Sequence, residues 1–224
     1  VRSVVQLTLL SWFLVPLVTW PAWWLVLPVA LAMTVLAAWE ATRRVGRRFR
    51  GMLLGSFLGM FIGAGGTVAW ATLLLLQPDP PWEPRYLIPL VGMVLGNALT
   101  GVSLGLDRAL ASLDEGRGRV ELLLSLGATR SEASRHVVQD ALRMGMIPIL
   151  NTMSVVGLVT IPGMMTGQIL GGADPVQAAR YQMLILFLIA SAVAIGTGIS
   201  VLVAVRMLLD GEHRLRIDRI RGRS

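Results

Sequence analysis

Residues 183–205 read MLILFLIASAVAIGTGISVLVAV, a stretch of 23 residues without one charged side chain. A helix needs about 20 consecutive, mostly apolar residues to cross the hydrocarbon core of a bilayer. Of the 224 residues in the chain, 54% are hydrophobic and 15% are charged, and the apolar residues form long blocks of this kind. The composition therefore predicts an all-α, polytopic transmembrane helical bundle.

Six apolar blocks can be marked along the chain. They cover residues 4–18, 23–39, 52–76, 87–106, 147–170 and 183–205. We treat residues 1–224 as one membrane-spanning domain with a long polar segment at 107–146. Because the chain starts at Val1 and is apolar from Val4, we expect one more span to precede it.

The positive charges are distributed unevenly between the two sides of the predicted bundle. All 20 are Arg; 18 lie at residue 2, in the loop 40–50, in segment 107–146 or in the tail, whereas Arg85 and Arg180 lie on the other side. Cytoplasmic loops carry the excess of Lys and Arg. We therefore expect an inner (plasma) membrane protein whose segment 107–146 and C-terminus are cytoplasmic.

Segment 107–146 has a two-part helical pattern of its own. Residues 119–126, RVELLLSL, favour a helix that ends at Gly127. Thr129 and Glu132 then match a capping box that begins a second helix. On that helix Ala133, Val137 and Ala141 form an apolar stripe with a spacing of four residues.

The chain lacks residue types that several kinds of chemistry require. Without Lys there is no phosphate-binding loop, so we expect no ATP hydrolysis, no enzymatic activity and no cofactor bound by the chain itself. The absence of Cys excludes disulfides and thiolate metal sites. His136 and His213 both lie in polar segments, and we interpret both as solvated surface histidines. We expect no nucleic-acid partner.

The predicted spans hold small and amide residues instead of charges. Glycines four residues apart allow close helix packing, and they occur at Gly55, Gly59 and Gly63, at Gly92 and Gly96, at Gly101 and Gly105, and at Gly163 and Gly167. Polar candidates for a substrate pathway are Asn97, Thr100, Asn151 and Gln168, with Met164 and Met165 nearby. Two interpretations stay open for the polar groups: contacts between helices, or the lining of a pathway. The Met side chains either fill gaps in the packing or offer soft metal ligands.

The fifth block contains a predicted break. Pro162 removes a backbone donor and Gly163 follows it, so the helix should kink or end there. Asp174 and Pro175 fit the N-cap and first position of the last helix.

Four stretches resemble a known family. They are VQL near the start, IPLVGMVLGNALTGVSL, LLSLGATRSEAS and NTMSVVGLVTIPGMMTGQILGGADPVQAARYQ. These resemble the FetB family, permease subunits of ABC-type transporters linked to iron export in bacteria, with plant relatives linked to aluminium tolerance. The resemblance runs from Val1 to about Leu209. Its most specific elements are PGMMTGQ at 162–168 and GNA at 96–98.

The resemblance implies a function for the cytoplasmic segment. ABC importer permeases carry a loop with a Glu, a Gly six residues later and an aliphatic residue ten after that, and Glu121, Gly127 and Val137 stand at these spacings. The Ala pair of that motif is replaced here by Leu122 and Leu123. The implied contact with a cytoplasmic ABC ATPase comprises Glu121, Leu126, Gly127, Ala128 and Val137.

The resemblance thus implies a homodimeric permease that exports iron or another metal, driven by ATP bound to a separate subunit. Two other interpretations stay open: a carrier or channel without an ATPase, and a membrane scaffold that transports nothing.

Overall fold

The computed structural model of the chain describes residues 4–6, 8–9, 11–12, 15, 23–78, 80–209, 216 and 221–222. From residue 23 onward, seven helical elements follow one another within these residues. They are α1 (Trp23–Arg44), α2 (Met52–Leu76), α3 (Pro84–Glu115), α4 (Arg117–Ser125), α5 (Arg130–Val155), α6 (Gly163–Leu170) and α7 (Pro175–Leu208). Within α2, the turns at Phe61–Gly65 and Ala71–Leu76 are π-helical. The all-α bundle predicted from composition is confirmed.

Four described helices have the length and composition of membrane spans: Trp24–Arg44, Met52–Leu76, Pro84–Glu115 and Pro175–Leu208. In the first predicted block, residues 4–6, 8–9, 11–12 and 15 are described and are helical, and the remaining residues lie outside the described part of the chain. With 32 residues, α3 is about 48 Å long and extends well beyond a hydrocarbon core of roughly 30 Å.

The fifth predicted span is not one helix. Helix α5 ends at Val155, and α6 begins only at Gly163, with Pro162 as its N-cap. The predicted break is therefore present but starts earlier than Pro162, because Gly157 takes a left-handed backbone with φ 81°. The Val155 carbonyl accepts from the Val159 N–H at 2.9 Å and closes the turn.

Helices α3, α5 and α7 pack together at the centre, and α2 packs on α7. The α2–α7 contact is close because a Cβ on Gly63 would lie 2.6 Å from the Gly196 nitrogen. The α3–α5 contact is equally close, since a Cβ on Gly145 would lie 2.7 Å from the Gly101 carbonyl oxygen. The predicted packing role of the glycines on α2 and around Gly101 is confirmed.

The other glycine pairs make no such close contact within the described residues. A Cβ at Gly96, Gly163 or Gly167 would meet nothing within 4 Å, and one at Gly92 would reach only the Met33 side chain at 3.4 Å. The spacing therefore predicted close packing wrongly for these positions within the described chain.

Ion pairs tie the polar ends of the helices together. Arg47, in the two-residue strand β1 (Arg47–Arg48), reaches Asp114 at 3.2 Å and Glu115 at 3.8 Å. Strand β1 pairs with β2 (Arg221–Gly222), which brings the tail beside this loop. Arg108 on α3 lies 3.5 Å from Asp140 on α5. These contacts hold α4 and the start of α5 at the same end of the bundle as the Arg-rich loop.

Candidate functional site

The turn between α4 and α5 is built from local hydrogen bonds. The Gly127 N–H donates to the Leu124 carbonyl at 3.1 Å, and the Ala128 N–H donates to the Leu123 carbonyl at 3.0 Å. These are the two bonds of a Schellman motif, which needs a left-handed residue, and Gly127 has φ 89°. The predicted end of the helix at Gly127 is confirmed.

The start of α5 is fixed by the predicted capping box. The Glu132 N–H donates to the Thr129 hydroxyl at 3.3 Å, and the Thr129 N–H donates to a Glu132 carboxylate oxygen at 2.8 Å. These bonds to Thr129 lower the pKa of Glu132, so its carboxylate stays charged near neutral pH. The two helices thus meet at a turn whose geometry is held from both sides.

The turn presents apolar side chains to solvent. Leu122 is 59% exposed and Leu126 is 75% exposed, and Gly127 is open on its free side. Val120 and Leu124, on the opposite face of α4, are buried. The helix is therefore anchored by one apolar face and leaves a second apolar surface uncovered.

The predicted coupling residues do not all lie on this surface. Glu121, Leu126 and Gly127 are exposed and Ala128 is partly exposed. Glu121 accepts from Arg117 at 2.7 Å, one helical turn away. Val137 is fully buried, as are Ala133 and Ala141, because the apolar stripe of α5 faces the chain's own core. Val137 can hold the turn in place but, buried in this way, offers no contact surface to a partner.

A cleft of about 380 Å³ lies between α4 and the first turns of α5. It is lined by Arg119 and Leu123 from α4 and by Glu132, Arg135, His136 and Gln139 from α5. The residues on α5 recur at helical spacing, so they form one face turned toward α4. Sequence reasoning missed this cleft, because only the angle between the two helices brings the faces together.

His136 is not the solvated histidine that the sequence suggested. It is partly buried in the cleft wall, and burial, together with the positive charge of Arg119, lowers its pKa below the ordinary value. Asp140 and the Ala133 backbone oppose this shift more weakly. The imidazole is therefore uncharged at neutral pH. His213 lies outside the described residues.

The amides predicted to line a pathway lie on the surface of the chain. Asn97 is exposed and donates to the Met93 carbonyl of its own helix at 2.8 Å. Asn151 is exposed on α5. Among the described residues, neither amide has a hydrogen bond to another helix, so contacts between these helices do not explain the two side chains.

The other pathway candidates are more enclosed. Thr100 is half-buried and donates to the Gly96 carbonyl at 3.3 Å. Met164 and Met165 are partly buried on α6, where Met164 packs against the core. The Gln168 side-chain oxygen is buried and has no hydrogen-bond partner among the described residues.

The described residues include no group of three or more His, Cys, Asp and Glu side chains that could hold a metal ion.

Comparison with known proteins decides the family. UPF0014, described as an uncharacterised protein family, matches residues 1–209. The chain belongs to the UPF0014 family. No solved structure matches it significantly.

Three relatives of the chain show how far the similarity extends. The Escherichia coli protein named "Probable iron export permease protein FetB" is 30% identical over 98% of this chain and 83% of its own length. The Synechocystis UPF0014 membrane protein slr1647 is 36% identical over 84% of this chain and 73% of its own. The Arabidopsis protein ALUMINUM SENSITIVE 3 is 33% identical over 78% of this chain and 62% of its own. The resemblance stated from the motifs is confirmed, and this UPF0014 chain is a multi-pass membrane protein.

Proposed function

We propose that this UPF0014 chain is the membrane-spanning permease subunit of an ABC transporter that moves a metal cation outward. Energy would come from ATP bound to a separate cytoplasmic ATPase subunit. One observation carries the proposal. The turn at Leu126–Gly127 is held rigidly by a Schellman motif and a capping box, yet it exposes Leu122 and Leu126 at a charged end of the bundle. A rigid, exposed apolar projection of this kind fits the groove of a soluble partner.

The exporter part of the proposal draws on the printed name of the Escherichia coli relative, an iron export permease. The amide and hydroxyl oxygens of Asn97, Thr100 and Asn151 agree with a metal substrate, because oxygen groups suit hard or borderline cations.

Co-purification of an ATPase tests the proposal. The permease would be purified from its own host in mild detergent, and bound proteins would be identified by mass spectrometry and assayed for ATP hydrolysis. We expect Leu126→Asp to abolish the association, since it places a charge on the apolar contact, while the permease stays in the membrane. Arg143→Gln, on the exposed side of α5, is the matched control. Two results would favour the carrier or the scaffold. Either the Leu126→Asp protein binds the ATPase as well as the unaltered permease does, or neither protein binds an ATPase.

The proposal requires the α4–α5 turn to be cytoplasmic. The Arg asymmetry supports this orientation. The chain has no Cys, so single cysteines can be placed at positions 117 and 80 and labelled in whole cells with an impermeant thiol reagent. We expect labelling at position 80 only; labelling at 117 alone would reverse the topology.

We further propose that two copies of the chain enclose the pathway. Asn97 and Asn151 are exposed on a single chain, and the Met93 carbonyl accepts only one of the two N–H groups of Asn97. A polar group left without a hydrogen bond in lipid costs several kcal/mol. A second copy that covers the α3 and α5 surfaces would remove these amides from lipid and place them beside a water-filled route.

The pathway is tested by transport. Asn97→Leu should impair metal efflux at normal protein abundance, whereas Met164→Leu should have a milder effect, because Met164 packs against the core. Equal efflux by Asn97→Leu and the unaltered protein would remove Asn97 from the pathway.

A further inference from the structure

The cleft between α4 and α5 is lined mainly by polar and charged side chains. Its walls hold two guanidinium groups, an uncharged imidazole, an amide, a carboxylate and the side of Leu123. Its volume of about 380 Å³ is within the range of sites that accept a side chain or a small ligand. It opens beside the exposed Leu122 and Leu126, on the adjoining face of the same short helix.

The charges in the cleft are unbalanced. Arg108, on α3, and Arg117, on α4, each lie within 4.0 Å of an acid. Among the ion pairs of the described residues, none involves Arg119 or Arg135, although both side chains line the cleft. The carboxylate of Glu132 is engaged by the Thr129 N–H and hydroxyl at 2.8 Å and 2.7 Å. The two guanidinium groups therefore have donors available for an anion that the chain itself does not supply.

We infer that this cleft receives a carboxylate side chain of the ATPase subunit, bound between Arg119 and Arg135 when Leu122 and Leu126 are docked. Guanidinium groups match carboxylates in charge and in hydrogen-bond geometry. Leu123 forms an apolar wall against which the methylene groups of an Asp or Glu side chain can pack. The inference rests on the proposed function and adds to it the chemistry of the partner's contact.

A side chain fits this cleft better than a free anion does. The lining carries two positive charges and one negative charge, and the cleft is open to solvent. Solvent-exposed ion pairs of this kind are weak, which leaves a dissolved anion poorly bound. A carboxylate carried by a subunit that is already docked on Leu126 has a high effective concentration, so a weak site suffices for it.

The first test measures affinity. The ATPase subunit that co-purifies with the unaltered permease would be titrated onto Arg119→Gln, Arg135→Gln and the matched control Arg143→Gln. We expect each cleft variant to weaken binding roughly fivefold, the effect of about 1 kcal/mol for a partly exposed charge pair, and the control to change little. The difference should shrink between about 0.1 M and about 1 M salt, where the screening length falls from about 10 Å to about 3 Å.

The second test identifies the contacting group. The chain has no Cys, so Gln139→Cys supplies a single thiol at the cleft and Arg143→Cys a control one turn further along α5. Both would be coupled to a maleimide–hydrazide linker, and carbodiimide would join the hydrazide to nearby carboxylates. We expect an Asp or Glu of the ATPase subunit to be joined from Gln139→Cys at many times the yield from Arg143→Cys.

The outcomes separate the two proposals. If Leu126→Asp abolishes binding while both Arg variants bind as the control does, the docking surface stands and the carboxylate contact is overturned. Inorganic phosphate can also be added to the permease without the ATPase subunit. If it raises the thermal midpoint and Arg119→Gln removes that effect, the cleft is a site for a free anion and the inference is again overturned. If no ATPase subunit co-purifies, the proposed function and this inference fall together.

Discussion

Replacement of Gly63 by Ala tests how closely α2 and α7 approach each other. A Cβ at Gly63 would lie 2.6 Å from the Gly196 nitrogen, 2.8 Å from the Gly196 Cα and 2.9 Å from the Ala192 carbonyl oxygen. All three atoms belong to the backbone of α7 and cannot rotate away. Since ordinary contacts of a Cβ begin at 3.4 Å, the two helices must separate locally by 3.4 − 2.6 = 0.8 Å.

Overpacking of a tight contact typically costs about 1–3 kcal/mol. For a chain of this size, each kcal/mol lowers the midpoint of thermal unfolding by roughly 2–4 °C. We therefore expect Gly63→Ala to lower that midpoint by about 5 °C, measured by far-UV circular dichroism on the permease purified in detergent.

Gly65 supplies the matched control. It lies two residues further along α2, and a Cβ there would meet nothing within 4 Å. Gly65→Ala should leave the midpoint unchanged or raise it slightly, because Ala loses less backbone entropy than Gly on forming a helix. Equal midpoints for the two variants, or a larger loss for Gly65→Ala, would refute the close contact between Gly63 and Gly196.

Further predictions concern the segment that carries the candidate site. Thr129→Ala removes the hydroxyl that caps α5 and should cost about 1 kcal/mol of unfolding free energy, visible as a lower thermal midpoint; Ser131→Ala, which leaves the box of Thr129 and Glu132 in place, should cost less. Burial lowers the pKa of His136 in the folded chain. Below its ordinary value of 6.5, the unfolded chain binds a proton that the folded chain does not. The free energy of unfolding should therefore be fully retained above that pH and decline as the pH falls below it. His136→Gln should flatten this decline, and identical pH profiles for the two proteins would contradict the partly buried, uncharged imidazole.

Features that depend on neighbours along the chain could be predicted from the sequence. The apolar blocks at 52–76 and 183–205 became helices long enough to span a membrane, since bilayer thickness alone sets the required length. The end of α4 at Gly127 and the start of α5 at Thr129 were also predictable. Their hydrogen bonds connect residues only three to five positions apart, so the local pattern contains the information.

Features that depend on which surfaces meet were decided by the tertiary structure. Gly63 and Gly163 both belong to sets with a spacing of four, yet a Cβ on Gly63 would meet the backbone of α7 and a Cβ on Gly163 would meet nothing within 4 Å. The spacing indicates that another helix can approach the glycines closely. Which helix does so, if any, depends on how the helices are arranged in the bundle.

The same distinction between local and tertiary features applies to the candidate site. The sequence by itself determined a rigid turn at Gly127 with leucines around it. Only the packing of α4 against α5 decided that Val137 is buried, that Leu126 is exposed, and that Arg119 and His136 share one cleft. Arg119 and His136 stand 17 positions apart in the sequence, on two helices separated by a turn. Their proximity follows from the angle between those helices, which is set by burial of the apolar stripe of α5 and therefore by residues elsewhere in the bundle.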